Sequence, residues 1–264
     1  MSAKRFKLRK GCIFRMLYLN RKNLISAAAV FLVFTVLGLL VRLSMSIGNL
    51  ARLAGTPEFD DIEKICYYVF TGFPAVIICL LMTDIEVIGK DAQCGWLRFS
   101  KTLPMTAGEQ AAHIYIIKLA GCAAAFILSL GNLALFDAVS GRSFDPLMFK
   151  MIFVITAAGA AFTTVQTTVM IFVRKTNRAA AVTFMMFFVI FLALEGTALL
   201  RLVSLMKKMG ITPDSGDMDA MFKVFGRELL AFLNAATVAA PIIITASFGA
   251  GWFFAKKALE RKEG

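Results

Sequence analysis

The sequence predicts an all-α polytopic membrane protein with six transmembrane helices, and three observations predict it. Of its 264 residues 59% are hydrophobic and only 17% are charged, with a mean hydropathy of +0.75, which is not the balance of a soluble domain. The apolar residues come in blocks, and a bilayer core takes about 20 residues of helix to cross. The period-2 alternation of a membrane barrel is absent. Lipid offers no partner to an exposed backbone amide, so each block is expected as a helix.

In chain order the first expected element is a cytoplasmic interface helix within residues 1–23. Ile13, Met16, Leu17 and Leu24 recur there at helical spacing, while Arg15, Arg21 and Lys22 are placed to reach lipid phosphates. That is the pattern of a basic amphipathic helix lying in the membrane surface; the alternative is a basic tail that only sets topology. Spans are expected at 24–45, 66–82, 111–136, 148–173, 179–200 and 229–255. Residues 84–110 form the longest cytoplasmic connection, and Trp96, Phe99 and Leu103 at i, i+3 and i+7 make one face of a short amphipathic helix. Pro104 ends it by pushing the preceding residue out of the α region. Thr106 then caps the next helix, with Glu109 three residues on completing a capping box. An outer loop is expected at 201–228, where Gly210, Pro213 and Gly216 mark a turn and Asp214 or Ser215 caps a short helix through Met221, Phe222 and Phe225.

The net charge of +12 is read from its placement. Basic residues crowd the segment before span one (Lys4 to Lys22), and others follow spans two, four and six, for example Lys90, Arg98, Arg174, Arg178 and Lys256. The loop after span one is acidic, with Glu58, Asp60, Asp61 and Glu63. The positive-inside rule puts both termini in the cytoplasm, which an even number of spans requires. The basic excess is thus a topology signal, not a nucleic-acid surface. The first block is long enough to span and lacks a small-x-small cleavage site, so no cleavable signal peptide is expected.

Chemistry is sparse. A single histidine, His113, rules out motifs that need two imidazoles, and it reads as a polar residue at the interface. There is no G-x-S-x-G, no P-loop, and no carboxylate cluster to hold a metal. The five cysteines have no paired spacing, and Cys79 and Cys122 read as small apolar packing residues. Arg42, Lys150 and Glu195 are ionisable residues in or near spans, in the outer leaflet. An intramembrane charge costs about 3 kcal/mol on insertion scales and therefore pairs, faces a cavity or snorkels. Glu195 and Arg42 are the candidate pathway charges, paired with each other or each reaching the outer headgroups. Small residues at Ala157–Ala161 and the Ser247-x-x-x-Gly251 pair allow close helix packing, within the chain or across a dimer.

Asp91, Gly95, Trp96, Phe99, Leu103, Pro104, Met105, Thr106 and Glu109 form a linked signature, and with six spans, cytoplasmic termini and an interface helix this sequence resembles the type-2 ABC exporter permeases. The likeness in layout covers nearly the whole chain and is closest to the compact branch whose ATPase is a separate chain. Two positions depart from the family pattern: Ala107 stands where a basic residue is often found, and Ile114 where a lysine is often seen, with Lys118 one turn later. The resemblance implies two permease copies or paralogues around a central pathway in a bacterial plasma membrane, with two cytoplasmic ABC ATPase subunits below. ATP and magnesium would sit on those partners, with no cofactor or metal and no catalysis in this chain. It further implies that Asp91, Gly95, Trp96, Phe99, Leu103, Pro104 and Glu109 form a coupling helix and its flanks. Spans rich in Phe and Met suit an apolar or amphipathic cargo, whether peptide, lipid or antibiotic. The rival reading is an ion-coupled secondary transporter or channel, for which Pro74 and Pro241 are the helix-breaking positions. A membrane-embedded enzyme would need ionisable residues clustered at one depth, and the sequence has no such cluster.

Overall fold

Every described element is a helix, as the apolar blocks demand. The computed structural model describes residues 10–47, 56–83, 105–141, 143–173, 176–208 and 218–260. Among them run α1 (Lys10–Leu19), α2 (Arg21–Ile47), α3 (Pro57–Thr83), α4 (Ala107–Ser140), α5 (Pro146–Val173), α6 (Thr176–Lys208) and α7 (Met218–Glu260). Five of these, α2, α3, α4, α5 and α7, are long and apolar enough to cross a membrane. α6 has 33 residues and contains the apolar stretch Arg178–Ile190.

The helices outrun the blocks from which they were read. At about 1.5 Å per residue, the 34 residues of α4 reach about 51 Å and the 43 of α7 about 65 Å, beyond the roughly 30 Å hydrocarbon core. Within the expected outer loop at 201–228 the helix expected through Met221, Phe222 and Phe225 is present, and both flanks of the loop are helical. Arg201–Lys208 continues α6, and Met218–Glu228 already belongs to α7. No proline interrupts either stretch, and Arg201 Nε bonds Glu228 Oε2 at 3.2 Å, tying the two helical extensions together. The Gly210–Gly216 turn lies outside the described residues.

α3, α4 and α5 pack on one another; α2 lies against α3 and α4, and α7 lies along α5 and α4. α6 lies mainly against α5 and, less, α7. Near the start of α4, a cluster of Ala111, Tyr115, Met170, Ala179 and Ala255 joins α4, α5, α6 and α7. Toward the other end of α4, Tyr67, Leu133, Phe136, Met148 and Ile152 join α3, α4 and α5. We call the end holding α1, the start of α4 and the end of α7 proximal, and the opposite end distal. Small residues pack within the chain as expected: Ala157 and Ala160 are buried, and Gly251 lies against Tyr115 and Thr164. Cys79 and Cys122 are buried and unpaired by disulfide. The outward side chains of α2, α6 and α7 remain aliphatic and aromatic, including Leu32, Phe184, Val189, Val238 and Ile242, as a surface in contact with acyl chains must be.

Candidate functional site

Three polar assemblies stand out in an otherwise apolar bundle: a fixed joint at the proximal end, a bolt across three helices, and an arginine at the distal end.

The proximal joint starts from the chemistry of a helix N-terminus, whose first amides need acceptors. Thr106 supplies one, its Oγ1 accepting from the Glu109 amide at 3.2 Å, while Glu109 Oε2 accepts from the Thr106 amide at 2.9 Å. The capping box expected from the sequence is therefore present. Two further contacts hold the same turn. Cys12 Sγ of α1 meets Met105 Sδ at 3.8 Å, and Trp252 Nε1 of α7 donates to the Gly108 carbonyl at 3.2 Å. Lys256 lies 5.7 Å from the Trp252 ring and 3.7 Å from Glu260. Met105, where the 84–104 segment rejoins the described chain, thus touches α1, and Gly108 one turn on is held by α7. One turn further on, His113 is buried at 3% exposure with Nδ1 2.6 Å from the Glu109 carbonyl. Lys118 is buried as well. Tyr115 hydroxyl and Thr168 Oγ1 lie 2.7 Å apart and join α4 to α5.

The bolt follows from Pro74. A proline inside a helix has no N–H to give, so the carbonyl four residues back loses its partner, in this case Phe70. In lipid that loss must be made good locally. Asn132 of α4 does so, its Nδ2 donating to the Phe70 carbonyl at 2.8 Å. Its Oδ1 accepts from Thr35 Oγ1 of α2, also at 2.8 Å. One amide therefore satisfies a proline defect and cross-links α2, α3 and α4, at 2% exposure. Helices α3, α4 and α5 carry many hydroxyls; those of Thr71, Ser129, Thr156 and Thr164 donate to the carbonyl four residues back and so need no partner from another helix.

At the distal end Arg42 of α2 pairs through Nη1 with Glu63 of α3 and places Nη2 3.4 Å from the Ser140 carbonyl of α4. The carboxylate facing Arg42 is thus Glu63. Asp137 is buried one turn before Gly141, the residue that ends α4. Lys150 donates to Asn234 Oδ1 of α7 at 2.6 Å. No protein-family model matches this chain, and no curated protein or solved structure does either.

Of the other expected site residues, Asp91, Gly95, Trp96, Phe99, Leu103 and Pro104 lie outside the described residues. Glu195 is on α6, but its side chain lies outside the described set. On α1, Arg15 is half-buried; Arg21 and Lys22, at the start of α2, are exposed, and the Arg21 guanidinium sits 4.2 Å from the Tyr18 ring. Phe14 and Tyr18 are exposed beside them, as a surface helix requires. Sequence reasoning missed Asn132 and Asp137. The signal for Asn132 was available: an amide deep in an apolar block, facing a proline in the neighbouring block.

Proposed function

We propose that the chain is the membrane-spanning permease subunit of an ATP-driven exporter. In this reading α6 is a sixth span, both termini are in the cytoplasm of a bacterium, and two permease copies form the pathway. Hydrolysis, with its ATP and magnesium, belongs to a separate ABC ATPase chain. The observation that carries the reading is the anchoring of the turn that opens α4, at Met105 to α1 and at Gly108 to α7. A segment that receives a push is useful only if its far end cannot slip. Here a displacement of residues 84–104 passes directly into the two longest spanning helices, α4 and α7, and through the α5–α7 contact into the centre of the bundle. Trp96 and Phe99 supply the large apolar area that a partner surface grips. Spans rich in Phe and Met favour an apolar or amphipathic peptide, lipid or antibiotic as cargo.

The ion-coupled alternative draws its support from Pro74. That break, however, has its freed carbonyl already bonded by Asn132, which makes it a closed joint and a poor ion ligand. The test is to co-express the tagged chain with the ATPase of the neighbouring reading frame, purify the complex and measure hydrolysis. Stable co-purification, with hydrolysis uncoupled or lost in Trp96→Ala and Phe99→Ala, is the expected result. Substrate movement driven by an ion gradient with no ATPase attached overturns it.

A further inference from the structure

Along α2, Val36, Leu39, Leu40 and Leu43 border a groove of about 580 Å³ whose other wall includes Val139 of α4, and Arg42 stands at its distal end. That volume is within the range of about 300–1,000 Å³ typical of small-molecule sites. Every described lining side chain except Arg42 is aliphatic. From Val36 to Leu43 the groove follows α2 for about 10 Å, and Val36, Leu40, Leu43 and Val139 all keep about half their surface open.

Among the described residues Arg42 is the only charge on this lining, and its side chain is 29% exposed. A guanidinium has five N–H donors in a planar fork. The Glu63 carboxylate and the Ser140 carbonyl engage one each. A planar fork with open donors, at the mouth of an aliphatic channel, matches a phosphate joined to an acyl chain in both geometry and charge. Basic pockets between spanning helices hold lipid headgroups for this reason.

We propose that this groove binds one anionic phospholipid, an acyl chain lying along Val36, Leu40 and Leu43 and the headgroup phosphate taking the Arg42 donors left open by Glu63 and Ser140. Glu63 is the competing anion and tempers the affinity. A choline headgroup brings its own cation to the guanidinium and is disfavoured; phosphatidylglycerol does not. The site depends only on α2 and α4 lying in a bilayer, so it stands or falls separately from the exporter reading.

The test uses the purified full chain in neutral detergent, with phosphatidylglycerol or phosphatidylcholine added and bound lipid counted by native mass spectrometry. The wild type is expected to retain phosphatidylglycerol about fivefold better, the gain from one basic side chain near an anionic headgroup. Glu63→Gln widens that preference. The paired Arg42→Gln/Glu63→Gln variant removes cation and carboxylate together, leaves no charge stranded, and brings the two lipids level. Val139→Trp fills the groove without touching the ion pair and lowers retention of phosphatidylglycerol. Equal retention of both lipids by the wild type overturns the proposal. So does a preference that survives both the paired variant and Val139→Trp.

Discussion

Asn132 repairs a defect that Pro74 creates, and the two residues are 58 positions apart in sequence yet chemically one unit. Asn132→Ala strands the Phe70 carbonyl and is expected to cost about 1–3 kcal/mol, read as a lower thermal midpoint in detergent. Adding Pro74→Ala restores an N–H to α3 four residues beyond Phe70. The double variant is therefore expected to be more stable than Asn132→Ala alone; an additive or larger loss would refute the pairing. Gly121 argues the same way through space. A Cβ there would stand 2.6 Å from the Met82 backbone oxygen, which cannot swing aside, whereas at Gly131 the nearest atom is 3.8 Å away on the flexible Phe31 ring. Gly121→Ala is expected to destabilise by about 1–3 kcal/mol. Gly131→Ala, by removing a glycine from a helix, is expected to be neutral or to stabilise by up to about 1 kcal/mol. Thermal unfolding of the two side by side decides it.

At the scale of an element, the start of α4 is the most heavily fastened helix end among those described. Thr106→Ala removes the side-chain half of the capping box, and caps of this kind are worth about 1 kcal/mol. Hydrogen exchange should show faster exchange confined to residues 107–110 while the distal half of α4 stays protected. If protection falls evenly along the helix, Thr106 does more than cap. Trp252→Phe keeps an aromatic ring against Gly108 and drops only the indole N–H, so it separates the hydrogen bond from the packing. In the exporter reading both variants weaken the coupling of hydrolysis to transport before they weaken assembly of the complex.

For the whole molecule the deciding question is whether α6 crosses the bilayer. Its 33 residues are enough at about 1.5 Å each, but its contacts with the bundle are mainly with α5 and α7. If it spans, residue 215 lies on the opposite side of the membrane from residue 2. In a cysteine-free background, Ser215→Cys is expected to react with an impermeant maleimide added to intact cells, and Ser2→Cys only after permeabilisation. Equal behaviour of the two positions reduces the count to five spans and separates the termini. The α2, α6 and α7 outer faces are the surfaces left for lipid or, in the exporter reading, for a second copy of the chain.

The sequence by itself determined the class of the protein: composition and block length demand helices in a bilayer, because no other solvent tolerates such a surface and no other backbone satisfies itself there. It also determined the capping box at Thr106 and Glu109, since a cap is written in four consecutive residues. It misplaced the ends of α6 and α7, because polar residues beyond the bilayer carry no signal that a helix has stopped. Pairings across long separations were decided only by the tertiary structure. Arg42 meets Glu63, Lys150 meets Asn234, and Asn132 meets the carbonyl that Pro74 sets free, each because two helices cross at that depth. A linear pattern records the period of a helix and the residues that start or break it. Which face meets which neighbour depends on how side chains from separate helices fit together, and that information exists only once the helices have packed.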